Sequence, residues 1–152
     1  MAMEERARIR AHWSPRADLA AIRADLERKG VVQPELEDLA IHDQLHAGLL
    51  EGTRAFATWL GVPRGCRVVD LGAGLGGSAR WLARELGCRV LAVELCPELV
   101  ATGEVLSRWT GLDDRVEHRC ADATTVREPA DRVWIQFVDM AWSDKAGLDG
   151  AV

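Results

Sequence analysis

The chain has 152 residues, of which 48% are hydrophobic and 28% charged, and its formal net charge is -5. This is the composition of a globular domain with the length of a single one. The acidic balance and dispersed arginines argue against nucleic acid or an anionic membrane as partner, and leave a small molecule as the expected one. Residues Met1 to Arg10 are charged throughout and lack an apolar core, so no signal peptide or membrane span is expected, and the cytoplasm is the expected location.

In chain order, Ser14-Pro15 predicts the start of an amphipathic helix that carries Leu19, Ile22 and Leu26 and stops at Gly30. A short acidic segment with Leu36 and Leu39 leads to Asp43-Gln-Leu-His-Ala-Gly48, and a longer helix then carries Leu49, Phe56 and Leu60 to Gly61. Residues 1–60 therefore read as a helical cap region, and 61–152 as an α/β domain.

From Gly65 strands and helices alternate. Cys66 to Leu71 predicts an apolar strand interrupted by Arg67 and Asp70, Gly77 to Gly87 a helix, and Cys88 to Glu94 a second strand. Pro97 opens a helix closed by Gly111, Val116 to Cys120 forms a third strand, and Arg132 to Val138 a fourth. Such alternation predicts a Rossmann-like, doubly wound parallel sheet.

The junction Asp70-Leu-Gly-Ala-Gly-Leu-Gly-Gly77 carries the chemistry. Glycines let backbone approach a ligand closely, and a helix start offers unpaired N–H groups, so the turn reads as a nucleotide-cofactor site. Gly72, Gly74 and Gly77 also fit a dinucleotide fingerprint, and Glu94, seventeen residues after Gly77, could hold a ribose in either class. Asp70 and Asp122 separate the two. Three carboxylates at the ends of adjacent strands would repel a pyrophosphate and attract a cofactor bearing an ammonium and a sulfonium. An NAD-dependent oxidoreductase is the alternative that shares these glycines.

Together these motifs resemble the class I S-adenosylmethionine-dependent methyltransferases. The resemblance implies a seven-stranded sheet ordered 3-2-1-4-5-7-6, of which this chain would supply the first four strands. It also implies S-adenosylmethionine as cofactor and a small-molecule methyl acceptor. Gly72, Gly74 and Gly76 would border the methionine moiety, Asp70 would orient its ammonium, and Glu94 with Leu95 would hold the ribose. Asp122 would accept from the adenine amino group with the Ala123 amide near the ring, and Gln136 would complete the cofactor site. More narrowly, Asp43-Gln-Leu-His-Ala-Gly48, Val133-Trp-Ile-Gln-Phe-Val-Asp-Met140 and Asp144-Lys145 are similar to the sarcosine and dimethylglycine N-methyltransferases. The chain departs from that pattern at Leu49, where a second glycine is usual, and at Phe137, where histidine would follow Gln136.

Methyl transfer from a sulfonium needs alignment and water exclusion more than a base. Should the acceptor need deprotonation, His46 and Asp139 are the nearest candidates. Trp59, Trp81 and Trp109 sit at helical spacings that suit core packing, whereas Trp13 and Trp142, in irregular segments, are the candidates for an aromatic cage. Cys66, Cys88, Cys96 and Cys120 lack metal-site spacing and read as small apolar residues beside strands, so no metal is expected. His118 reads as a hydrogen-bonded interior residue. Because the pattern stops after four strands, the chain is expected to be a truncated methyltransferase. Its fourth strand would then be an apolar edge prone to self-association.

Overall fold

The structure, a computed structural model, describes residues 3–46 and 48–136. The sequence readings at Phe137, Val138, Asp139, Trp142 and Asp144-Lys145 lie outside them.

The chain begins with a helix that sequence periodicity does not announce, α1 (Met3–Trp13), with no buried residue. A single 3-10 turn at Ser14–Arg16 follows, and α2 spans Leu19–Arg28. The helix expected from Ser14-Pro15 thus starts later. Asp18 caps it instead, its carboxylate accepting from the Ala21 amide at 2.9 Å, which satisfies one of the free N–H groups of the first turn. Ile22 and Leu26 are its buried side, as their spacing predicts. Helix α3 (Leu36–Asp43) starts where the Asp38 carboxylate accepts from the Glu35 amide at 2.9 Å. Helix α4 (Leu49–Leu60) opens with Gly48 at φ +88° and Leu49 at φ +47°. Leu49 occupies a left-handed conformation that costs a branched residue about 1–2 kcal/mol. A glycine would adopt this conformation without that cost.

Four parallel strands follow: β1 (Arg67–Leu71), β2 (Arg89–Glu94), β3 (Val116–Cys120) and β4 (Arg132–Trp134), side by side in the order β3-β2-β1-β4. Helix α5 (Gly77–Leu86) connects β1 to β2 and α6 (Pro97–Trp109) connects β2 to β3. The fourth strand was expected to run to Val138. Its pairing with β1 covers Arg132 to Trp134, and Ile135 and Gln136 are already irregular.

Alternation along β1 decides which residues face the site. Val68 and Asp70 share a face with Val90 and Ala92 of β2 and Trp134 of β4. That face packs on Ala79, Leu82 and Ala83 of α5 and Ala57 of α4. A second cluster joins Ile22, Leu26 and Leu39 of the N-terminal helices to Leu75, Leu99 and Leu106, so the N-terminal region is packed against the α/β part.

Three side chains depart from expectation. Trp59, assigned to the core, is 78% exposed and stacks on Phe56 at 5.8 Å; its place on the helix points away from the sheet. Trp13, assigned to an irregular segment, is the last residue of α1. Cys120 is exposed on the edge strand β3, while Cys66, Cys88 and Cys96 are buried thiols. Among the described residues no helix is long and apolar enough to cross a membrane.

Candidate functional site

A cleft opens at the carboxyl ends of the strands, where ligands bind in open parallel sheets. Its empty volume, open mouth included, is about 940 Å³. The β1–α5 turn contributes Gly72, Ala73 and Gly74, β2 and its exit contribute Glu94 and Leu95, and the loop after β3 contributes Asp122 and Ala123. Gln136 and Trp134 come from the β4 segment, Asp43, Leu45 and His46 from the α3–α4 connection, and Ile9 and Trp13 from α1. Asp70 lies at the floor.

At Gly76 a β-carbon would come within 2.5 Å of the His118 ring, and one at Gly103 of α6 within 2.7 Å of the same ring. These two glycines make room for His118. His118 Nε2 meets the Ser107 hydroxyl at 2.9 Å. Burial, with the nearby Arg80 and Arg108 charges, pushes its pKa down to about 4, so it is a neutral interior residue.

Four amides of the turn ahead of the helix are taken up within the protein. Gly72 and Ala73 both donate to the Val93 carbonyl, at 2.8 and 3.0 Å, and Gly76 donates to the Ala73 carbonyl at 2.8 Å. Gly74 donates to Glu94 Oε2 at 3.0 Å. These N–H groups are engaged within the protein, whereas a pyrophosphate loop aims such groups at its anion.

Asp70 is 3% exposed, and its Oδ2 has no hydrogen-bond partner. Burial first, and then the neighbouring Glu94 charge, push its pKa up to about 8. Burial likewise raises Glu94, although Oε1 accepts from the Cys96 amide at 2.9 Å. An uncompensated buried carboxyl is costly unless a cation arrives to pair with it. Asp122 differs. Burial pushes its pKa up, but the Thr124 hydroxyl and amide, at 2.7 and 3.0 Å on Oδ1, and the Arg6 guanidinium, 2.6 Å from Oδ2, outweigh that and hold it low.

Beside the turn lies a chain of hydrogen-bonded polar side chains. The buried Thr53 hydroxyl donates to Gln44 Oε1 at 2.8 Å and lies 3.1 Å from His46 Nε2 and 3.2 Å from Ser78 Oγ. Ser78 in turn donates to Gln136 Oε1 at 3.1 Å.

Sequence reasoning missed Arg6, Asp43 and Arg80. Arg80 is wholly buried and donates to Asp43 Oδ2 at 2.7 Å, to the Gly103 carbonyl and to Ser107. A charged residue between Ala79 and Trp81 on the apolar side of α5 was a readable signal of a buried partner. The partner's identity was not readable.

The fold and the cleft define an α/β domain built to bind a small cofactor among carboxylates. Residues 68–151 match the methyltransferase-domain family, and the chain belongs to it. Among curated relatives, a probable chloroplastic tocopherol O-methyltransferase of Oryza sativa subsp. japonica is 31% identical over 118 residues, 74% of this chain and 30% of that one. The sarcosine/dimethylglycine N-methyltransferase of Halorhodospira halochloris is 35% identical over 81 residues, 53% of this chain and 27% of that one. A solved phosphoethanolamine N-methyltransferase 2 of Haemonchus contortus, in complex with phosphomonomethylethanolamine and S-adenosylhomocysteine, superposes with a TM-score of 0.64 at 26% identity. That superposition covers 84% of this chain and 31% of the other. The chain thus spans under a third of the length of these relatives.

Proposed function

We propose that the chain binds S-adenosylmethionine in this cleft and serves methyl transfer to a small-molecule acceptor, an amine of the sarcosine or dimethylglycine kind being the leading choice. The unpartnered, buried Oδ2 of Asp70 carries the reading, because it calls for a cation at the floor of the cleft. In this reading Asp70 holds the ammonium, with Gly72 and Gly74 bordering the methionine moiety. Glu94 accepts from the ribose hydroxyls beside Leu95, using the lone pairs that the Gly74 and Cys96 amides leave over. Asp122 accepts from the adenine amino group beside the Ala123 amide. Gln136, tied through Ser78 to Thr53, lies where cofactor and acceptor meet.

When bound, the cofactor supplies a methyl group already activated by its sulfonium. The chain's own residues orient, exclude water and hold protons. An amine acceptor arriving as free base needs no protein base. For a hydroxyl or carbon acceptor His46 is the described residue placed to serve as base. The helical region 1–60 serves as a cap: α1 contributes Ile9 and Trp13 to the cleft and is tied across it by Arg6 to Asp122. Trp13 is the described aromatic suited to a methylated ammonium.

Calorimetric titration with S-adenosylhomocysteine and with NAD tests the cofactor. Binding of the thioether and not of NAD is expected; the reverse result overturns the proposal. A screen of glycine derivatives and small amines against labelled cofactor then tests the acceptor, with label expected on a secondary or tertiary amine. Binding without transfer to any acceptor would reduce the chain to a cofactor-binding domain.

A further inference from the structure

Among the described residues, three that line the cleft carry a buried side-chain atom with no hydrogen-bond partner: Asp43 Oδ1, Asp70 Oδ2 and Trp134 Nε1. Two are acceptors and one is a donor. Asp43 already has Arg80 on its other oxygen. Asp70 and Trp134 have nothing, although they are register partners on the neighbouring strands β1 and β4. Register partners in a parallel sheet leave it on the same face, with strands only about 4.8 Å apart. The two side chains are therefore neighbours, 3% and 1% exposed, and neither satisfies the other. Phe56 meets the Trp134 ring edge-on, with centroids 4.6 Å apart at 71°, so the indole is fixed by packing.

Burying an indole N–H without an acceptor is unfavourable, and so is burying a carboxyl without a donor. One ligand chemistry answers both at once: a cationic N–H group and an anionic oxygen on adjoining atoms, which is an α-amino acid. We propose that Trp134 Nε1–H donates to the α-carboxylate of the cofactor's amino-acid end while Asp70 takes its α-ammonium, so that two neighbouring strands read the two charges of one zwitterion. This rests on the reading of the cleft as an S-adenosylmethionine site and adds a binding residue to it. The raised pKa of Asp70 fits the same picture, since arrival of the ammonium is what ionises it.

Three ligands separate the contributions: S-adenosylhomocysteine, its decarboxylated form, which keeps the ammonium and lacks the carboxylate, and 5′-methylthioadenosine, which lacks both. For Trp134→Phe, which keeps an aromatic ring and removes the N–H, calorimetry should show S-adenosylhomocysteine bound roughly tenfold or more weakly, as for a lost hydrogen bond to a charged group. The other two ligands should bind as they do to the parent chain. Asp70→Asn should weaken both ligands that carry the ammonium. Equal weakening of all three ligands by Trp134→Phe would mark a packing effect and overturn the proposal, as would no weakening at all. Should that variant fail to fold, the parent chain decides. Of its six tryptophan indole N–H signals, the one assigned to Trp134 through its backbone connectivities should shift with S-adenosylhomocysteine and stay with the decarboxylated form; the same shift with both ligands, or none, overturns it. If the parent chain binds none of the three ligands, the cofactor reading itself has failed.

Discussion

The two helices that flank the cleft are held in opposite ways. Helix α5 buries Ala79, Leu82 and Ala83 in the core beside the sheet and Arg80 against α3 and α6, while α1 has no buried residue and reaches the cleft through Ile9, Trp13 and ion pairs from Arg6 and Arg10. One wall is part of the core, and the other rests on charges at its surface. The difference teaches where rigidity and access are divided: the wall that positions Asp70 and Glu94 cannot move without opening the core, whereas the wall over Asp122 can.

The largest test strikes the rigid wall. Asp43→Ala leaves the Arg80 charge buried without its carboxylate and should destabilise the chain by about 3–5 kcal/mol in urea unfolding. A loss under 1 kcal/mol would mean that Arg80 finds water, and that this wall is softer than its burial implies. Next come Asp70→Ala and Glu94→Ala, each expected to weaken S-adenosylhomocysteine binding by on the order of 1–3 kcal/mol.

Asp70 also predicts a pH dependence. Its folded pKa, about 8, lies above the ordinary carboxyl value, so between roughly pH 4 and 8 the native state holds a proton that the unfolded chain has released. Stability without ligand should therefore fall as pH rises through that window. Ligand affinity should rise with pH over the same range, with proton release seen by calorimetry in buffers of different ionisation enthalpy. Asp70→Asn should flatten both trends.

Smaller effects concern the outer region. Leu49→Gly relieves a left-handed residue and should raise stability by about 1 kcal/mol, part of the gain being offset by glycine's freedom in the unfolded chain. Arg6→Ala should change global stability by less than about 1 kcal/mol, because its guanidinium side of the pair is well exposed. It should nevertheless speed hydrogen exchange throughout α1, and added salt should do the same to the parent chain. If α1 exchanges as slowly as α5 in both cases, the contrast between the walls is wrong.

The same contrast explains what was legible in the sequence. Strands β1 to β3 and helix α5 could be read to within a residue, because apolar runs and glycine stops record burial directly. Helix α1 could not, since a helix with no buried face leaves no period. The carboxylates at the strand ends were legible because an acid closing an apolar strand is conspicuous, and their meeting at one crevice follows from topology. Arg6 on Asp122 and Arg80 on Asp43 were not, because each pair joins residues that only the tertiary fold brings together. Nor could the sequence show that the space left by the absent β-carbon at Gly76 is filled by His118.

The turn that carries the site is anchored on the Val93 carbonyl, which receives both the Gly72 and Ala73 amides. An anchor made of main chain cannot be deleted by exchanging a side chain. The shape of the turn is thus inherited with the sheet, and side chains around the cleft can change without undoing it.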